Sequence, residues 1–448
     1  MSTTHQPRTV ILGAGASGVA AAQLLRQHGM AVTVLDEAPA EKLASAAAEL
    51  AALGAELRAG ARELPEGAFD LCVVSPGIAF AHPWLQACRT RKIRAIAEME
   101  LGFAHWPGRV LAITGSKGKS SLVKLCTDTL NCAGISAAPA GNYGTPLSRL
   151  AATHAKLAWA VVEVSSFQLE LVETFRPAIA VLLNLQADHL DRHASLAEYR
   201  ALKLRLFARQ KSGDVALLPE GLDDGGAVPA GVTRQIFGAG AGCDWRYFSH
   251  AVFGGQADTQ DMRKINVAGS YFDNAVLGLA AAAGAGALAA GGLADAAITR
   301  GFAGFEPLPH RMQLVAEHAG VRYIDDSKAT SLSAAAAAIG MVSGPVRLIA
   351  GGRLKEHDLD SMKELLTSRV RKVYVIGECA GRMLSAWSGA VPCKDCGTLD
   401  AAVTEAAREA RAGETVLLSP GCASFDQFTG YRERGERFTR LVRGRNAS

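Results

Sequence analysis

The chain has 448 residues, 49% hydrophobic and 20% charged, as expected of a soluble protein with real cores in two to four domains. A formal net charge of +4 and an aromatic content of 6% leave too little basic or stacking surface for nucleic acid, so a modest anion is the ligand to expect. Nine cysteines, scattered and odd in number, suit a reducing cytoplasm and not a disulfide framework; the lone C-x-x-C at Cys393 and Cys396 lacks further ligands for zinc.

MSTTHQPRTV runs directly into an apolar strand without a basic region or cleavage site, so no secretion signal is expected. After the strand TVIL come Gly13-x-Gly15-x-x-Gly18, a helical run to about His28, and a second strand, AVTVLD, ending at Asp36. LCVVSPG supplies another strand ending in a turn, which completes a βαβ pattern and implies a parallel sheet. The glycine spacing with Asp36 matches a dinucleotide fingerprint, in which backbone amides at a helix N-terminus meet a diphosphate. Taken alone this fits NAD, or another diphosphate such as the UDP of a nucleotide sugar.

A second block opens near Glu98, with strands at Val110–Thr114, AWAVVEVSS and AIAVLLNL. AITGSKGKSS follows the first of these and leads into a helix. It ends like a phosphate loop, in Gly118-Lys119-Ser120, but Ile113 stands where the usual G-x-x-x-x-G-K-[ST] form has its first glycine. Backbone amides and Lys119 would meet the β- and γ-phosphates of ATP, and the Ser120 hydroxyl would reach Mg²⁺. Glu163, at the tip of the next strand, stands where a Mg²⁺ ligand belongs. The loop after AIAVLLNL crowds Asp188, His189, Asp191, Arg192 and His193 together. Gly221 to Gly242 reads as loop or irregular structure. An uncharged Ala/Gly-rich helix begins at Asn274 and is broken at Gly291-Gly292, which favours a packed soluble helix over a membrane span.

The third block begins near Phe305, with strands RYIDDS, VRLIAGG, KVYVIG and TVLLSPG. Its polar residues gather repeatedly at strand ends, which points to one cleft lined by those loops.

The motifs TGSKGKSS, EVSSFQLE, NLQADHLDRH, PHRM, DDSKAT and SPGCASFDQF, in this order, resemble the Mur ligases of peptidoglycan synthesis, in particular the branch that adds D-glutamate. The resemblance spans essentially the whole chain. It implies an α/β protein of three domains: an N-terminal Rossmann-like domain (1–97) for the UDP-sugar, a central P-loop ATPase-like parallel sheet (98–304), and a C-terminal Rossmann-like domain (305–448) for the amino acid. It implies ATP and two Mg²⁺ ions as cofactors, UDP-N-acetylmuramoyl-L-alanine and D-glutamate as substrates, and a cytoplasmic monomer with no nucleic-acid or membrane partner.

By the same resemblance, Gly115, Ser116, Lys117, Gly118, Lys119, Ser120 and Ser121 hold ATP, and Asn274, Arg311, Asp326 and Lys328 serve its adenine and ribose. Ser120, Glu163 and His189 hold metal, with Lys203 carbamylated as a further ligand; Lys119, Glu163, His189 and Lys203 are catalytic. Ala16, Ser17, Asp36 and the turn Ser75-Pro76-Gly77 face the UDP-sugar, Asn142 and His189 approach the muramoyl substrate or its acyl phosphate, and Ser165 also binds substrate. Thr330, Lys355, Ser424 and Tyr431 bind glutamate. Lys117, Ser270-Tyr271, Tyr431 and AGGRLKEHDL depart from the family's commoner forms. A dehydrogenase would leave the phosphate loop unexplained, and a folylpolyglutamate synthase-like ligase would lack the first domain.

Overall fold

A computed structural model describes residues 7–154, 156–185, 195–248, 251–255, 263–266, 275–354 and 358–444. His189, Asn274 and Lys355 lie outside them. The chain divides into two compact units, residues 1–305 and 306–448.

The first unit holds two sheets. The first consists of β1 (Arg8–Leu12), β2 (Ala31–Asp36), β3 (Glu56–Ala59), β4 (Leu71–Val74) and β5 (Arg94–Ala97). All are parallel, in the order β3-β2-β1-β4-β5. Val10, Ile11 and Leu12 are fully buried, because helices cover both faces of such a sheet and an uninterrupted apolar run fits it. The direction of winding reverses beside β1, where the β1 and β4 loops diverge and a ligand crevice opens.

The second sheet runs β14-β13-β12-β11-β10-β9-β6-β8-β7. Its strands are β6 (Arg109–Thr114), β7 (Ala137–Gly141), β8 (Trp159–Glu163), β9 (Ile179–Leu182), β10 (Val215–Pro219), β11 (Thr233–Gly238), β12 (Trp245–Phe248), β13 (Ala251–Gly254) and β14 (Arg263–Asn266). β6 lies between β8 and β9, parallel to both, so its C-terminal end again marks a reversal of winding. Strand β11 corrects the expectation of irregular structure over Gly221 to Gly242. It pairs in parallel with β10 and buries Phe237, and that pairing outweighs the polar local sequence.

The helix Ala275–Ala290 is apolar all round because it is buried: Ala281, Ala282, Ala283 and Ala285 are fully enclosed in a core that also holds Leu122 and Trp245. Among the described residues no helix is long and apolar enough to cross a membrane. A separate apolar core joins the first two sheets, running from Leu24 and Leu25 to Leu147, Leu150 and Val162. Each such side chain contributes about 1.5–3 kcal/mol by leaving water.

The second unit has one sheet of β15 (Gln313–His318), β16 (Val321–Asp325), β17 (Val346–Gly351), β18 (Val370–Ile376), β19 (Cys393–Gly397) and β20 (Thr415–Leu418). The order is β15-β16-β20-β17-β18-β19, and only the edge strand β15 is antiparallel. The loops that follow β16, β17, β18 and β20 therefore leave the same edge of the sheet.

Candidate active site

The turn after β1 is built for close backbone approach. Gly13 has φ +92°, and a Cβ on Gly18 would lie 1.8 Å from the Gly13 carbonyl oxygen, so the helix Ala16–Gln27 sits tight against the strand end. Asp36 braces this turn: its two carboxylate oxygens accept the Ala14 and Ala38 amides at 2.8 and 2.9 Å. The buried Ser75 hydroxyl donates to the Gly13 carbonyl at 3.2 Å. Ala16 and Gly77 are exposed at the mouth of this crevice, and Ser17 and Pro76 are half-buried.

The phosphate loop leaves β6 with two glycines in positive φ, Gly115 at +147° and Gly118 at +83°, and Gly118 caps the helix Lys119–Cys132. Such a cap leaves the first helical amides pointing at an incoming anion. Asn184, at the end of β9, fixes the loop from across the sheet. Its side-chain oxygen accepts the Ser116 and Lys117 amides at 3.0 and 2.9 Å, and its amide donates to the Lys117 carbonyl at 3.0 Å. The Ser116 hydroxyl meets the Tyr199 hydroxyl at 3.1 Å. Ser120 and Ser121 are buried in the first turn of the helix.

Two cations converge on this loop. Lys119 Nζ donates to the Gly115 and Ser116 carbonyls at 2.9 and 3.0 Å. Lys203 Nζ, from the helix Leu196–Leu204, donates to the same Gly115 carbonyl at 2.9 Å and to Thr114 Oγ1 at 3.3 Å, and lies 4.6 Å from the centre of the Tyr199 ring. Lys203 is only 2% exposed, which excludes the ordinary surface lysine that its sequence position alone would suggest. Like charges this close repel, and either an anion between them or conversion of one amine to an anionic carbamate relieves the repulsion.

Glu163 ends β8 opposite Ile113 of β6, just before the phosphate loop, and is 2% exposed. Asn142 Nδ2 donates to Glu163 Oε1 at 2.7 Å, while Glu163 Oε2 is buried without a hydrogen-bond partner. A buried carboxylate oxygen left open is costly unless something positive meets it. A carboxylate oxygen is a donor type that Mg²⁺ accepts. Ser165 caps the helix Ser166–Leu169: its hydroxyl accepts the Gln168 amide at 3.3 Å, and the Gln168 side chain returns to the Ser165 amide at 2.9 Å. This capping box orients the chain immediately after Glu163.

In the second unit, Asp326 follows β16 and is 8% exposed; its carboxylate accepts the Met312 amide at 3.2 Å and the Ser419 hydroxyl at 2.8 Å. Burial pushes its pKa up to about 7, against the lowering effect of those two bonds. The neighbouring Asp325 is fully buried and pairs with His310 Nδ1 at 2.7 Å. Lys328 Nζ lies 4.0 Å from the centre of the Tyr431 ring, and burial holds its pKa below the usual lysine range. Arg311 and Thr330 are half-buried on the same loops. Ser424, in the loop after β20, is 2% exposed with its hydroxyl unpartnered.

Three family descriptions fit successive parts of the chain: a Mur ligase MurD-like N-terminal domain (residues 7–97), a Mur ligase middle domain (113–227) and a Mur ligase glutamate ligase domain (310–422). The chain belongs to the Mur ligase family. Among its relatives is the UDP-N-acetylmuramoylalanine–D-glutamate ligase of Acidobacterium capsulatum, 37% identical over 446 residues, covering 97% of this chain and 96% of the relative. The ligase of the same name from Nitratidesulfovibrio vulgaris is 38% identical over 443 residues, covering 97% and 95%. The MurF ligase of Thermotoga maritima, solved with ADP, shares the fold at a TM-score of 0.60 and 16% identity, covering 93% of this chain and 96% of that one. The MurC ligase of the same organism gives 0.58 at 13% identity, covering 99% and 100%. The fold is thus the α/β, three-domain Mur ligase architecture.

Several residues that shape this Mur ligase's site carry no phosphate-loop or metal motif of their own. Asn184 and Tyr199 are two of them. Arg434 is the clearest case. It is 1% exposed and donates to the Ser327 hydroxyl at 3.0 Å and to the Ser327 and Cys422 carbonyls at 2.9 and 3.0 Å. It thereby ties the β16 and β20 loops together. In the sequence it is one arginine among several on a charged helix, and only its burial distinguishes it.

Proposed function

We propose that the chain joins UDP-N-acetylmuramoyl-L-alanine to D-glutamate at the expense of ATP, making an amide bond in the cytoplasmic synthesis of peptidoglycan precursors. It acts as a monomer, with residues 1–97 binding the UDP-sugar, 98–304 binding ATP and 305–448 binding the amino acid. The observation that carries this reading is the meeting of Lys119 and Lys203 on the Gly115 carbonyl, at the end of the strand next to the one that ends in a buried Glu163 with one open oxygen. Full-length similarity to ligases of this name supports the same choice of substrates.

In this reading the crevice after β1 takes the UDP diphosphate at the amides of Ala16 and Ser17, within the frame set by Asp36 and Ser75. Lys119 moves from the loop carbonyls onto the β- and γ-phosphates, and the loop amides hold the transferring group in line with the substrate carboxylate. That carboxylate takes the γ-phosphoryl group, giving an acyl phosphate and ADP. The amine of D-glutamate then attacks the acyl carbon, a proton leaves the nitrogen, and phosphate departs. Ser120, Glu163, His189 and a carbamylated Lys203 would hold two Mg²⁺ ions, which when bound neutralise charge on the phosphate oxygens. Asn142 orients Glu163 and reaches the muramoyl end; Ser165 fixes the turn that follows Glu163. Asn274, Arg311, Asp326 and Lys328 hold the nucleoside, and Thr330, Lys355, Ser424 and Tyr431 hold glutamate.

Phosphate release tests this directly, using UDP-N-acetylmuramoyl-L-alanine, ATP, Mg²⁺ and a panel of D- and L-amino acids. Release should require all components and favour D-glutamate. Equal turnover of L-glutamate would overturn the handedness, and release without the UDP-sugar would overturn the ligase.

A further inference from the structure

Cys379 follows β18 and Cys422 follows β20, the two strands on either side of β17. Their sulfurs are 3.5 Å apart, and the residues are 4% and 0% exposed. The chain leaving β17 packs against both residues. Cys379 N–H donates to the Gly352 carbonyl at 3.0 Å, and a Cβ on Gly352 would lie 3.2 Å from Cys422 Cβ. Arg353 and Ala423 then exchange backbone hydrogen bonds at 2.8 and 3.0 Å. The two thiols therefore sit beside the start of the chain that follows β17 and at the root of the loop that carries Ser424.

We propose that Cys379 and Cys422 form a reversible redox modification site, a dithiol that a small peroxide converts to a disulfide, with loss of glutamate binding. The pair itself rests on geometry alone; its effect on glutamate rests on the ligase reading above. Cys379 is the attacking thiol. Its hydrogen bond with Cys422 holds it below the usual thiol range and pushes Cys422 up. The Cys379 thiolate takes one oxygen from hydrogen peroxide and releases hydroxide, giving a sulfenic acid. Cys422, on losing its proton, attacks that sulfur and expels a second hydroxide. Two thiols are oxidised, one peroxide is reduced, and two waters result. Bond formation draws the sulfurs from 3.5 Å to about 2 Å. Cys422 cannot follow without moving Ala423 and Ser424 or straining its bond to Arg434. In a reducing compartment such a bond is transient, as expected of a sensor.

The test treats the full-length protein with hydrogen peroxide, maps disulfides by mass spectrometry without reduction, and measures phosphate release against D-glutamate concentration. The expected result is a peptide linked through Cys379 and Cys422, with the glutamate KM raised by up to about 10²-fold, the loss that a displacement near 1 Å brings. Dithiothreitol should restore the original KM, and Cys379→Ser should keep its KM under peroxide. No linked peptide, while the exposed Cys132 is oxidised, would overturn the pair. A linked peptide with unchanged kinetics would overturn its effect on binding. Reduced protein that forms the link but never releases phosphate would overturn the ligase reading instead.

Discussion

Asp326 offers a stability test that needs no substrate. Its carboxyl titrates near 7 in the folded chain, against 3.8 for an unperturbed aspartate, because it is 8% exposed and lies beside Asp325. Between those two values the unfolded chain has lost the proton while the native chain still holds it. Stability therefore falls as pH rises through this window, by about 1.4 kcal/mol per unit, and levels off above the folded pKa. Over the whole window the loss is on the order of 4 kcal/mol. Asp326→Asn removes the titration and keeps the contacts: the amide oxygen can accept from Met312 N–H, and the amide nitrogen can donate to Ser419, whose hydroxyl turns round to accept. The variant should match wild type near pH 4 and exceed it increasingly up to about pH 7. Hydrogen exchange on peptides from β16 and β20, compared with wild type at each pH, reports the second unit by itself and cancels the intrinsic pH dependence of exchange. A difference that stays constant from pH 5 to 8, or that favours wild type as pH rises, would refute the assignment of a buried, protonated Asp326.

Four further outcomes are expected. Lys119→Ala should lower phosphate release by about 10²-fold or more, since the ammonium that now donates to the Gly115 and Ser116 carbonyls acts on the transferring group. Lys203→Ala should be nearly inactive and partly rescued by added short carboxylates, and an active protein whose Lys203 is unmodified by mass would count against carbamylation. Gly18→Ala places a methyl 1.8 Å from the Gly13 carbonyl, so the turn must open; UDP binding, followed by calorimetry, should be lost. Ser424→Ala should raise the glutamate KM modestly and slightly raise stability, because it removes a buried hydroxyl that makes no internal hydrogen bond.

Much of the site was legible because its local signals agree with one another. A strand, a glycine turn and a helix cap are all short-range patterns, and each occurs where the fold places a strand end. The Gly13–Gly18 turn and the Gly115–Ser121 loop needed nothing beyond neighbours in sequence. Other features were hidden because they arise from distant chain. Strand β11 depends on β10 to pair its polar sequence, and Asn184 reaches the phosphate loop from 68 residues away. The burial of Lys203 was hidden because a helix sequence does not say which side packs against Thr114. Asp36 and Ser75 were expected at the ligand and do stand at the crevice, yet their polar atoms are taken up bracing the backbone around it. Motif spacing finds such residues without separating those that touch a ligand from those that shape its pocket.

Two open oxygens lie at positions proposed above to meet ligands. Glu163 Oε2 and Ser424 Oγ are both buried and unpartnered, one at the end of β8 and the other in the loop after β20. An open buried acceptor or hydroxyl costs about 1–3 kcal/mol, more when charged, and native chains satisfy nearly all such groups. Within reach of Glu163, Asn142 satisfies one oxygen and leaves the other; around Ser424, the backbone carbonyl is used by the Gln427 and Phe428 amides while the side chain is not. In both places the frame is complete and only the atom that would face a ligand is left open. Filling that position with a cation at Glu163, or with a carboxylate oxygen at Ser424, recovers the desolvation already incurred in folding. Part of the binding energy is thereby set in advance, which is the physical meaning of a preorganised site.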